Sequence, residues 1–213
     1  MRVASEKSKY LLTLLVISIS LFFVNKKLLI SDALYFNSLS ERFSYDEINE
    51  LINEGKKLEL VSVPLILIMS LLKISLVAFC LSLGIFFSSI RFEFDRMFNV
   101  TVKAEFIFLA PPFIKLVWFL FVQTSYTLQE FQYFYPLSAL NIFQANTLEP
   151  WQIYPLQVLN IFEIIYWIVL AYLLTKELPE LDMNRSMTVV MASYGTGLEI
   201  WVAFVMFLPL TYT

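Results

Sequence analysis

The sequence predicts an all-α fold: a polytopic integral membrane helical bundle of five transmembrane helices joined by short interfacial helices. Three observations carry this prediction. Hydrophobic residues make up 59% of the 213 residues and charged residues only 15%, against about a quarter charged in an ordinary soluble domain. Twenty-one Phe, eleven Tyr and four Trp add bulk that suits a bilayer and its headgroup region. Five apolar runs also approach the length of about 20 residues that a helix needs to cross a hydrocarbon core of roughly 30 Å. The chain reads as one membrane domain, 1–213.

The first run covers residues 10–30. It follows Arg2, Lys7 and Lys9, and its cleanest part ends at Val24, after which come Asn25, Lys26 and Lys27 rather than a small-residue cleavage site, which predicts an uncleaved anchor. The second covers 60–87 and contains Lys73. The third, 102–123, contains Lys115 and the pair Pro111-Pro112, and the paired prolines predict a kink there because two backbone donors are missing. The fourth covers 156–175 and contains Glu163. The fifth covers 188–210 and contains Glu199, shortly after Gly195 and Gly197, whose small size favours close helix approach or local unwinding.

Two longer connections, 31–58 and 124–155, are assigned to the outer side. In the first, Ser44 with Glu47 makes a capping box, and Ile48, Leu51 and Ile52 recur at helical spacing. These signals predict a short amphipathic helix over 44–54, lying at the membrane surface and stopped by Gly55. The second connection has no Lys or Arg and carries Pro136, Pro150 and Pro155, each a helix breaker. It predicts a short interfacial helix over 137–143, with its aromatic residues as interfacial anchors or as the lining of a lipid site. Eight cations (Arg2, Lys7, Lys9, Arg91, Arg96, Lys103, Lys176 and Arg185) fall on one side of the predicted topology. Five (Lys26, Lys27, Arg42, Lys56 and Lys57) fall on the other. That bias predicts a cytoplasmic N-terminus.

Charges inside the apolar runs are the main chemical signal, because a charge at mid-bilayer costs about 2.5–3.5 kcal/mol on insertion scales. Lys73, Lys115, Glu163 and Glu199 are the four candidates. Counting residues from the predicted span ends puts Lys115 and Glu163 at one depth and Lys73 and Glu199 at another. The matching predicts pairs Lys115 with Glu163 and Lys73 with Glu199, the swapped pairing remaining open. The preferred role is structural, fastening helices, and the competing role is a transport or proton-relay site.

Composition excludes much chemistry. Histidine is absent and Cys80 is the single cysteine, so a histidine base, an HExxH zinc site and a paired-thiol redox centre have no residues to be built from. There is no GxSxG and no phosphate-binding glycine loop, and Asp32, Asp46, Asp95 and Asp182 all lie in flanks. The expectation is a non-enzyme without metal or cofactor. A charge of −3 gives no reason to expect a nucleic-acid partner.

The segments "VKAEFIFLAPPFIKLV", "YPLSALNIF", "LEPWQIYPLQVLNIFEIIYWIVLAYLL" and "SMTVVMASYGTGLEIWVAFVMFL" follow one another over residues 100–210. In content and order they resemble bacterial members of the Yip (Ypt-interacting protein) family. That resemblance implies a five-span, non-enzymatic protein of the bacterial cytoplasmic (inner) membrane. Its role would be to organise the membrane or assist another membrane protein, with the bilayer and a second membrane protein, or a second copy, as partners. The alternative is a transporter or permease subunit with a polar site inside the bundle, for which an internal repeat is expected and none is found.

Overall fold

The computed structural model describes residues 2–91, 93–143 and 148–210. They form an all-α bundle: α1 (Arg2–Leu29), α2 (Asp32–Leu39), α3 (Tyr45–Phe87), α4 (Phe94–Glu105), α5 (Ala110–Phe121), α6 (Leu128–Tyr133), α7 (Pro150–Val158), α8 (Ile161–Glu177), α9 (Met183–Val190) and α10 (Thr196–Leu210). A 3-10 turn, Phe106–Leu109, joins α4 to α5 without a break, and a π turn, Met191–Gly195, joins α9 to α10. Among the described residues, four helices are long and apolar enough to cross a membrane: Ser8–Leu29, Val61–Phe87, Phe94–Phe121 and Met183–Leu208. Residues 144–147 of the second outer segment, and the C-terminal Thr213, lie outside the described residues.

The capping box forms as the sequence predicts. Ser44 accepts from the Glu47 backbone N–H, while the Glu47 carboxylate accepts from the Ser44 N–H and hydroxyl, and these last two bonds hold that carboxyl below the usual glutamate range. The stop at Gly55 does not form. Gly55 has no left-handed backbone, and α3 runs on as one helix of 43 residues, about 65 Å long at 1.5 Å per residue. The amphipathic segment is therefore the first turns of the second span's helix. Its apolar face, Ile48 and Ile52, is buried, α2 packs beside it, and Leu51 remains exposed. Phe36 of α2 stacks on Tyr45 at 5.0 Å, and Lys56 pairs with Asp32 at 3.1 Å. Glu59 reaches Lys26 of α1 at 3.2 Å. These contacts hold α3 upright past Gly55.

The fourth apolar segment departs further from expectation. It is split at Leu159 and Asn160 into α7 and α8, and α8 has only 17 residues. Asn160 caps α8 by accepting from the Glu163 N–H at 2.9 Å. Pro155 does not break α7 but lies inside it. Segment 137–143 yields only a 3-10 turn, Ala139–Ile142, which comes down onto the split. Ala139 N–H donates to the Leu159 carbonyl (2.8 Å) and Ile161 N–H to that of Leu137 (3.2 Å). Thus the irregular backbone at the split is hydrogen-bonded within the protein. Leu137 adopts φ 55°, uncommon outside glycine, and Ser138 and Asn160 are buried beside it.

The main core lies between α3, α4, α8 and α9, where Ala78, Leu81, Ile85, Met97, Val100, Leu170, Leu174 and Val190 are fully buried. Small residues permit this packing. A Cβ built on Gly84 would lie 2.8 Å from Ser193 Cβ, and one on Gly197 would lie 2.9 Å from Cys80 Sγ.

Gly84→Ala is accordingly expected to destabilise the bundle by about 1–3 kcal/mol through overpacking. Gly55→Ala is expected to stabilise it by about 0.5–1 kcal/mol, as an added methyl in an unstrained helix does. There the new Cβ meets nothing within 4 Å. Thermal unfolding in mild detergent reads both, and a loss of stability in Gly55→Ala contradicts the continuous helix.

Candidate functional site in the bundle interior

Lys73 points from the middle of α3 towards α4. Its Nζ donates to Glu105 Oε1 at 2.5 Å and sits 3.6 Å from the centre of the Phe108 ring. The Glu105 side chain is 11% exposed. The partner of Lys73 is therefore Glu105 and not Glu199. Glu105 escapes the sequence reading because α4 starts at Phe94, eight residues before the predicted start of the third span, and this brings Glu105 well inside the helix. Glu105 is thus an interior acid that the four predicted charges did not include.

The 3-10 turn explains how Phe108 comes to cover Lys73. Pro111 and Pro112 lack N–H groups and cannot serve the carbonyls of Ile107 and Phe108, so the chain tightens and Ala110 N–H donates to Ile107 instead. The prolines mark a local change of helical winding. Pro112's own carbonyl accepts from Asn25 Nδ2 of α1 at 3.2 Å.

Glu163 lies in the first turn of α8, where the helix dipole favours negative charge. Its Oε1 accepts from Trp167 Nε1 (2.8 Å) and from the Tyr194 hydroxyl (2.6 Å), which fastens α8 to the π turn. Lys115 is not its partner. Lys115 turns to the connection 124–155, donates to the Phe131 carbonyl at 2.5 Å and lies 4.0 Å from the centre of that ring.

An aromatic column joins the two carboxylates. Phe108 packs on Tyr166 (4.8 Å between centroids) and Tyr166 on Tyr194 (5.4 Å). Tyr166 is fully buried. Its hydroxyl and Glu105 Oε2 are buried without a hydrogen-bond partner among the described residues. Burial pushes the Tyr135 hydroxyl above the usual tyrosine range, and the nearby Glu163 carboxylate adds to this. Next along α10, Trp201 Nε1 donates to the Tyr154 hydroxyl of α7 at 2.8 Å. Successive contacts of Glu163 with Tyr194 and of Tyr154 with Trp201 align α7 and α8 antiparallel to the α9–α10 helix. The split at Asn160 and the π turn therefore face each other at one level.

Glu199 is exposed and has neither an ion pair nor a hydrogen bond among the described residues. Gly195 ends the π turn, whereas Gly197 lies in regular α10 in close approach to Cys80, and the Glu199 side chain faces outward. No group of three His, Cys, Asp or Glu that could hold a metal ion occurs among the described residues. An open groove of about 600 Å³ lies at the outer segment, lined by Ile114, Trp118, Phe134 and Leu140 among others.

In comparisons with known proteins, no family model, no curated protein and no solved structure matches this chain.

The geometry assigns the stabilising pair. Lys73→Met and Glu105→Gln are each expected to cost about 3 kcal/mol, the lower end for breaking a buried pair, because the Lys73 side chain remains 43% exposed. Lys73→Met combined with Glu105→Leu should recover most of that loss. If Glu199→Leu, rather than Glu105→Leu, rescues Lys73→Met, the assignment is wrong.

Proposed function

We propose that the protein is a non-catalytic integral membrane protein of the Yip-like type. It serves as a membrane-organising scaffold or an accessory subunit of a membrane complex. The broken helix α7–α8 acts as a fifth span, the bacterial cytoplasmic membrane is its site, and the N-terminus is cytoplasmic. The observation that carries this reading is the fate of the interior charges. Lys73 is taken by Glu105, Glu163 by Trp167 and Tyr194, and Lys115 by the Phe131 carbonyl. Each contact joins two separate elements or braces a helix, which suits groups that fix packing.

One observation favours the second reading, a permease subunit. Two apolar helices are interrupted at one level, beside Glu163 and Tyr194, and discontinuous helices are a common setting for transport sites.

Complementation of a deletion strain separates the two. The Lys73→Met/Glu105→Leu variant, once shown to be stable, is expected to restore the strain to wild-type behaviour, since a packing role needs only shape and stability. A stable double variant that fails to complement assigns the charges to transport and overturns the scaffold reading.

A further inference from the structure

We propose that the outward face of α10 docks a transmembrane helix of another protein, and that this helix brings a lysine or arginine to Glu199. The proposal rests on the accessory-subunit reading and names the chemistry of the partner.

The face is defined by spacing. Thr196, Glu199, Ile200, Ala203, Phe204 and Phe207 are all exposed and recur at intervals of three and one, so they form a single stripe along the helix. Ile200 is 66% exposed, Phe204 55% and Phe207 65%. The inner side of the same helix is covered by α7. Against lipid tails the apolar members of this stripe need no cover, but Glu199 does: a carboxyl group in hydrocarbon is costly and ordinarily finds a partner.

Charge complementarity selects the occupant. Glu199 lies nine residues before Leu208, the last residue of its apolar span, hence about 14 Å along the axis from that end. Within this chain the cations deep in the spans are Lys73 and Lys115, and both are engaged, by Glu105 and by the Phe131 carbonyl. A second copy therefore offers no free cation at that depth. A different helix with one basic residue at a matching level supplies the charge, with small Ala203 allowing its backbone to approach.

The test uses the whole protein in phosphatidylcholine vesicles and two dansyl-labelled synthetic peptides of about 20 Leu and Ala residues, one with a central lysine and one with leucine there. Energy transfer from tryptophan reports binding, Trp201 lying two residues beyond Glu199 on the same helix. The lysine peptide is expected to bind about five- to thirtyfold more tightly than the leucine peptide, the range for one polar contact between membrane helices. Glu199→Gln should abolish that preference while leaving the midpoint of thermal unfolding unchanged. Equal binding of both peptides, or a preference that survives in Glu199→Gln, overturns the proposal. So does self-association of the protein that is lost in Glu199→Gln, which makes a second copy the occupant, and so does a large loss of stability in that variant, which makes Glu199 an internal contact. None of these outcomes alters complementation by the Lys73/Glu105 variant, so docking and the accessory reading fail separately.

Discussion

The contact between Lys73 and Glu105 under the Phe108 ring is the constraint on which the interior depends. An ion pair in a medium of low dielectric is favourable only when both charges are held in place, because each has lost its solvation. Here the holding is done by two different helical geometries. Lys73 is carried by the uninterrupted α3, and Glu105 and Phe108 flank the start of the 3-10 turn imposed by Pro111 and Pro112. From Phe108 the packing passes to Tyr166, then Tyr194, and ends at the Glu163 carboxylate. One side-chain column thus couples α3, the α4–α5 helix, α8 and the π turn.

That column also accounts for the interruptions on its far side. A π turn widens the backbone at Met191–Gly195, where Tyr194 reaches Glu163 and Gly195 lies against Trp167. The facing helix stops and restarts at Asn160, and the outer segment fills the gap with two backbone hydrogen bonds. At the π turn the Ser193 hydroxyl donates to the Val189 carbonyl, so both interruptions find hydrogen-bond partners within the protein.

The apolar runs, the capping box at Ser44 and the placing of Lys73, Lys115 and Glu163 inside apolar helices were legible in the sequence because each rests on local composition or fixed spacing. The pairing was not. It required helix starts correct to within a turn, and hydropathy does not see that α4 begins before the apolar run, at Phe94. Nor does depth counting tell which way a long side chain turns, and Lys115 turns outward to Phe131. Gly55 carried a stop signal that neighbouring contacts overrode: Tyr45 stacks on Phe36 before it, and Lys56 and Glu59 after it are tied to Asp32 and Lys26. The split at Asn160 did have a signal. An asparagine followed three residues later by glutamate marks a helix start, but inside so apolar a stretch the pattern was masked by the continuous hydropathy around it.

The central claim is that Lys73 is bound to Glu105 in the membrane. Solid-state NMR of protein in lipid bilayers, labelled with 15N on lysine side chains and 13C on glutamate carboxyls, measures this directly through their dipolar coupling. The account predicts a strong coupling between Lys73 Nζ and the Glu105 carboxyl, as an N···O contact of 2.5 Å requires, and its loss in Glu105→Gln. A Lys73 coupling that survives in Glu105→Gln and disappears in Glu199→Gln would contradict it.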